Sequence, residues 1–369
     1  MRWAIWGTGA ISARFVAGLA DVPGARASIV ASRDSARAEA FARSCGITGH
    51  IGGNDLAAVA AALAAAADVV YIATPTGLHA AHAEACLAAG LHVLVEKPLA
   101  STGADAQALA DAAQRHGRFL MEALWTRHLP ATRALTDAVA GLGEIRLITG
   151  GFAAVNHIDP ALPRFQAAAG GGALRLYGVY PLALGQMLAG RAAAISAAGH
   201  RIGDLDASAA MTVRYASGAV GQFHCSLECG SDNEFVVHCT GGHAALIGPL
   251  FRPTGVRVVR STARSDMEQG RAGVAARLRA SPIGNRLVQW RQHGAGLAGQ
   301  RLAAPYAGNG YGAQAAELQR CVNAGMLESP LMPLADSIEL AQLIDQAGGC
   351  IANAGLPGAQ RSVPMELTI

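Results

Sequence analysis

The sequence has no apolar run long enough to cross a bilayer. Its longest, Leu56–Ala67, is mostly alanine and is closed by Asp68, whereas a span needs about 20 consecutive apolar residues. The first ten residues, MRWAIWGTGA, lack the charged-then-apolar architecture of a secretion signal, and a strand is expected to start at residue 2. Aromatics are scarce at 5%, and charged residues make up only 15% against 51% hydrophobic. That balance excludes intrinsic disorder. Neither sign of charge dominates. The 29 basic and 26 acidic residues leave a net charge of +3, which argues against nucleic acid as the main partner. The seven cysteines are scattered, and none forms a CxxC pair. They are expected to be reduced thiols of a cytoplasmic protein, with no metal site.

What is present is a change of rhythm near residue 125. At 369 residues the chain is long enough for two domains, at roughly 100–200 residues each. Up to about residue 122, short apolar runs (Arg2–Trp6, Ala27–Ala31, Val69–Ala73, Val93–Val95, Phe119–Met121) alternate with alanine-rich helical stretches. Such alternation means βαβ units and a doubly wound parallel sheet. After Pro130 a helix and a strand near Glu144–Phe152 lead to a helix over Gly172–Ala189. Strand candidates then follow with short connections: Ala194–Gly199, Ala207–Tyr215, Ala219–Leu227, Glu234–Cys239, Ala244–Ile247 and Gly255–Arg260. These imply a large, mostly antiparallel open sheet. Two helices, near Ala313–Ala324 and Asp336–Ala347, close the pattern. The expected class is α/β: a Rossmann-type region at 1–124 and an α+β region at 125–369. An arginine-rich stretch at about 261–308 is expected as a solvated helical insertion.

Four motifs carry chemistry. Gly7-Thr8-Gly9-Ala10-Ile11-Ser12 follows the first strand and opens the first helix. A pyrophosphate needs a tight turn, close backbone approach and a helix N-terminus with free N–H groups. Gly7 and Gly9 meet the first two needs, and Ser12 stands where the fingerprint has its third glycine. The second strand ends in Ser32-Arg33-Asp34. A hydroxyl and a guanidinium there suit a 2′-phosphate and favour NADP(H), whereas Asp34 turned onto a ribose would suit NAD(H). The loop Thr74-Pro75-Thr76-Gly77-Leu78-His79 leaves the third strand candidate at the same carboxyl edge, where its backbone can reach a cofactor. His79 and His82 lie one turn apart but lack a third metal ligand. Glu96-Lys97-Pro98 closes another strand at that edge, and a lysine there can bond a substrate hydroxyl and respond to burial by shifting its pKa.

Taken in order, these motifs resemble the Gfo/Idh/MocA family of oxidoreductases. Met121–Arg127, Gly170–Leu174 with Gly178–Pro181, and Glu328–Ser337 resemble its branch of dimeric dihydrodiol dehydrogenases and NADP-dependent D-xylose dehydrogenases. The resemblance implies hydride transfer between a nicotinamide and a small sugar, polyol or dihydrodiol. It makes Lys97 the catalytic lysine and Tyr180 the general acid/base, whose phenol the ammonium is expected to lower in pKa. It puts Trp125, Arg164 and Phe165 at the substrate. It also implies a homodimer through the second sheet. One departure stands out: the family's Asp, four residues before Tyr180, is Leu176 here. Tyr177 or Arg175 would have to compensate, or turnover is altered; a non-catalytic dinucleotide-binding sensor is the alternative.

Overall fold

A computed structural model describes residues 1–261 and 299–353. Six parallel strands form the first sheet: β1 (Arg2–Trp6), β2 (Arg26–Ser32), β3 (Gly49–Gly52), β4 (Val69–Ile72), β5 (His92–Glu96) and β6 (Leu120–Ala123). Their order is β3-β2-β1-β4-β5-β6. The order reverses between β1 and β4, which opens a crevice at their carboxyl ends. Between the strands lie α1 (Ala10–Leu19), α2 (Ser35–Cys45), α3 (Leu56–Ala66), α4 (His79–Ala88) and α5 (Gly103–His116). Asp34, Asp55 and Thr102 start α2, α3 and α5 by accepting first-turn N–H groups. Gly46 and Gly117 end α2 and α5 in the left-handed conformation.

Strand β3 was not among the sequence candidates. Its four residues, GHIG, show no apolar alternation. It is an edge strand fixed by backbone pairing with β2, and a Cβ at Gly49 would stand 2.9 Å from the Ser28 carbonyl oxygen.

Beyond α6 (Pro130–Ala140) comes the second sheet. Its strands are β7 (Ile145–Ala153), β8 (Ala192–Ile202), β9 (Leu205–Tyr215), β10 (Val220–Ser226), β11 (Phe235–Cys239), β12 (Gly242–Ile247), β13 (Gly255–Arg260) and β14 (Gln300–Ala303). They run in the order β14-β13-β12-β11-β7-β10-β9-β8. Neighbours are antiparallel except β7 and β10. Residues alternate between buried and accessible along β9, so one face is covered and the other bare. Most of the arginine-rich stretch (262–298) lies outside the described residues, but its end forms β14 rather than helix, paired with β13.

The helix expected over Gly172–Ala189 opens differently. Leu174–Gly178 is a π-turn, and α7 (Val179–Ala189) continues from it. The Val179 N–H reaches back five residues to the Leu174 carbonyl. Such widened turns rotate the residues before them relative to those after.

The last two helices, α8 (Gly312–Asn323) and α9 (Leu334–Asn353), return to the first region. Asn309 donates to the Arg14 carbonyl at 2.7 Å just before α8, and α9 packs on α5. One apolar core runs from Trp3, Phe15 and Tyr71 through Trp125 to Tyr180 and Phe235. Arg127, buried at the junction, pairs with Asp336 at 2.6 Å and donates to the Ala183 carbonyl. The crevice is therefore bounded by two regions that share a packed interior.

Candidate active site

The first wall is backbone. Gly7 sits at φ +124°, and a Cβ there would stand 2.6 Å from the Ala73 carbonyl oxygen. Only glycine fits that turn. Gly9 caps α1 with no side-chain hydrogen bond, and open space lies where its Cβ would be. The N–H groups opening α1, with Thr8, Ala10 and Ile11 around them, therefore face accessible space without an internal acceptor, as an anion site requires. Next to them the Thr74 hydroxyl is buried without a partner. Ser32 ends β2 half-buried, and Arg33 is exposed beyond it. Asp34 Oδ1 accepts from the Ala36 and Arg37 N–H groups, so the carboxylate caps α2. These features fit a dinucleotide.

Pro75 leads into a 3₁₀ turn at Thr76–Leu78. His79 is fully enclosed: Nδ1 meets the Pro98 carbonyl and Nε2 the Thr74 carbonyl, each at 2.9 Å. It staples two crevice loops together instead of presenting a ring to them. Glu96 is likewise turned inward. It accepts from the Tyr71 hydroxyl at 2.5 Å and the Lys97 N–H at 3.2 Å, and burial pushes its pKa up.

Lys97, joined to Pro98 by a cis peptide, projects into the crevice. Its Nζ donates to the Leu176 carbonyl at 2.7 Å and lies 4.8 Å from the centre of the Tyr180 ring. Burial pushes the ammonium down to about 8, against the pull of Glu96 and Glu122. Glu122 lies beneath the same loop, accepts from the Leu99 N–H at 3.2 Å, and is pushed up to about 7 by burial. The Tyr180 phenol does not follow the expectation from sequence. Burial, then Glu96, push it well above its ordinary value. The ammonium lies over the ring face, too weakly placed to reverse that.

The second wall is made of side chains. Phe152 stacks on Tyr177 with ring centres 4.2 Å apart and on Phe251 at 4.5 Å, and it meets Tyr180 at 5.5 Å. The Tyr177 hydroxyl donates to Asn156 Oδ1. Trp125 lies beside Tyr180 and stacks on Tyr311 at 4.5 Å. Phe165 is buried, with the exposed Arg164 guanidinium 4.9 Å above its ring. That segment braces the π-turn by backbone, Arg164 accepting from the Gly172 N–H. Leu176 offers its carbonyl to Lys97, while Arg175 points away toward Ser101 and Asp345.

Two family models cover most of this architecture. Residues 1–124 match an oxidoreductase family with an NAD-binding Rossmann fold, and residues 133–245 match the GFO/IDH/MocA C-terminal domain. The chain belongs to the Gfo/Idh/MocA family. Among its family relatives, the trans-1,2-dihydrobenzene-1,2-diol dehydrogenases of Bos taurus and Homo sapiens are each 30% identical over 94% of this chain and 95% of their own. The fold is shared with an aldose-aldose oxidoreductase from Caulobacter crescentus (TM-score 0.78, 21% identical, 96% of this chain and 98% of that one). It is shared too with a levoglucosan dehydrogenase complexed with NADH (TM-score 0.76, 23% identical, 96% and 97%).

Sequence motifs missed part of this family member's crevice. Phe152, Phe251 and Asn156 come from separate segments and carry no local pattern. The scarcity of aromatics was a usable signal, since the chain holds only eight Phe and six Tyr. For Lys97 the composition adds a further signal: it is the sole lysine among the 29 basic residues.

Proposed function

We propose that this chain moves hydride between a nicotinamide and a carbon bearing a hydroxyl or carbonyl group, with Lys97 and Tyr180 handling the proton. The observation that carries the proposal is the sole lysine. Twenty-eight other basic positions are arginine. Arginine stays charged at any working pH, whereas a buried lysine can release its proton. A position that needed only positive charge would accept the residue used everywhere else. Lys97 instead sits where its pKa falls to about 8, within reach of both protonation states near neutrality.

The bound cofactor would supply the hydride acceptor or donor. In oxidation the substrate carbon gives up hydride and its hydroxyl gives up a proton. The Tyr180 phenol, held protonated by burial, orients the reacting oxygen by donating to it. Lys97 takes up or returns the proton. In reduction the same two groups deliver it to the forming alkoxide. NADP(H) is the favoured cofactor, with NAD(H) the lesser one, because Arg33 is free at the end of β2 while Asp34 is occupied by α2. The stacked rings of Phe152, Tyr177 and Phe251 favour a small cyclic substrate, a dihydrodiol or a sugar presenting an apolar ring face.

Two further expectations belong to this reading. The bare face of the second sheet holds a trough of about 810 Å³ whose lining includes Gly151, Ala198, Ala210, Gln222 and His224, and a second copy would cover it to make the homodimer. Seven unpaired cysteines suit work in the reducing cytoplasm. The alternative, a non-catalytic dinucleotide-binding sensor, rests on Leu176, whose side chain offers no carboxylate to a substrate; turnover distinguishes the two.

The test is turnover of trans-1,2-dihydrobenzene-1,2-diol and of levoglucosan with NADP⁺ by Lys97→Arg and Lys97→Met. A loss of about 10²–10⁴-fold in both, with NADPH still bound, is expected for a lost acid/base. Full activity in Lys97→Arg would refute the proton role.

A further inference from the structure

We propose that Arg175 is a positioning residue for Lys97, acting through the loop between the lysine and α5. This rests on the reading of Lys97 given above. The π-turn Leu174–Gly178 presents two neighbouring groups to that loop. The Leu176 carbonyl takes the Lys97 ammonium at 2.7 Å. The Arg175 guanidinium donates twice to the Ser101 carbonyl, from Nη2 at 2.9 Å and Nε at 3.2 Å. Consecutive residues of one turn thus hold Lys97 and Ser101, the two ends of a five-residue segment.

The grip is built in depth. Asp345 on α9 pairs with Arg175 at 3.3 Å and, through its other oxygen, accepts from the Gly103 N–H at 2.8 Å. It therefore aims the guanidinium and pins the start of α5 together. Gly170 leaves room for Ser101, since a Cβ there would stand 2.9 Å from the serine hydroxyl. A planar, forked guanidinium can meet a carbonyl and a carboxylate together, which a lysine cannot do equally well. Arg175 and Tyr177 were the two residues offered as replacements for the missing carboxylate at 176. Neither replaces it: Tyr177 bonds Asn156, and Arg175 holds the loop. On the π-turn side the lysine is held by a backbone carbonyl and a restrained loop, with no carboxylate at 176.

Because Lys97 is the only lysine, reductive ¹³C-methylation labels a single ε-amine, and its titration can be read directly. The ionisable groups around it are Glu96, Glu122, His79 and Tyr180, with the Arg175–Asp345 pair on the adjoining turn; Arg175→Met removes a cation as well as the grip, whereas Arg175→Lys keeps the charge and so separates the two. The experiment measures kcat and KM with trans-1,2-dihydrobenzene-1,2-diol and NADP⁺, NADPH affinity, and the Lys97 titration. It compares wild type, Arg175→Met, Arg175→Lys and Asp345→Asn. Arg175→Met is expected to lower kcat on the order of ten-fold by misplacement and to leave NADPH affinity within about two-fold. The Lys97 midpoint should move up toward an ordinary lysine as water enters. Arg175→Lys should recover part of both effects. A purely structural arginine would lower the melting temperature without moving the midpoint. A folded Arg175→Met with wild-type kcat and an unmoved midpoint overturns the proposal. If Arg175→Met does not fold, Asp345→Asn, which loosens the same grip, decides by the same two readouts. Should Lys97→Met keep full turnover, the reading of Lys97 falls, and the titration midpoint still decides whether Arg175 positions it.

Discussion

At the carboxyl edge of the first sheet the crevice is lined by main chain: the Gly7–Gly9 turn, the open start of α1 and the loop after β4. Across from it the lining is aromatic side chain, drawn from β7, the π-turn, α7 and the segment before β13. A wall of backbone recognises what all ligands of a class share, here a pyrophosphate and its sugars. A wall of side chains can change without disturbing that recognition, and so it sets which substrate is taken. Lys97 belongs to the first wall by sequence and to the second by contact, since its ammonium rests on Leu176 and Tyr180.

If the division is sound, damage to each wall should separate cleanly. The largest effect is expected from Gly7→Ala. A Cβ at φ +124° and 2.6 Å from a carbonyl oxygen cannot be housed without moving the turn. NADPH binding should weaken by about 100-fold or more in calorimetric titration, whatever the substrate. Phe251→Ala strikes the opposite wall. It should raise KM for a cyclic substrate by about ten-fold while NADPH affinity stays unchanged; equal losses in both would dissolve the distinction. Arg33→Ala sharpens the picture within the backbone wall. If NADP(H) is the cofactor as proposed, it should weaken NADPH relative to NADH by about five-fold, as expected for one lost exposed charge-assisted bond of about 1 kcal/mol.

The two walls also differ in how far the sequence revealed them. Gly7 and Gly9 were legible because a positive φ and a bare helix start are local demands that select residue types. The parallel and antiparallel sheets were legible from periodicity, apart from β3, whose GHIG carries none, and β14, hidden in an arginine-rich stretch. Of the aromatic wall, Trp125, Tyr177 and Tyr180 came from the family resemblance, whereas Phe152 and Phe251 were not legible, since they reach the crevice only through tertiary packing. The π-turn was also invisible. The sequence shows that position 176 lacks the family's carboxylate, but not that a widened turn aims the backbone carbonyl there at Lys97. His79 and Glu96 border the crevice, yet their polar atoms are spent on Thr74, Pro98 and Tyr71.

The smallest effect concerns stability. A lysine whose folded pKa lies near 8, below the 10.5 of a free one, costs stability while protonated. Lys97→Met should therefore raise stability at pH 7 by about 1–3 kcal/mol. The gain should shrink as pH rises from about 8 to 10.5, because the wild-type amine then loses its charge in both states. A chemical-denaturation series across that range tests the sign, and a gain independent of pH would show that the ammonium carries no burial penalty.

The most direct measurement compares two titrations of wild-type protein: the ¹³C signal of the single labelled ε-amine and the pH dependence of kcat/KM, which reports the free enzyme. The account predicts one shared midpoint near pH 8. An ε-amine that titrates near 10.5 while kcat/KM changes around 8, or a kcat/KM flat across that range, would contradict it.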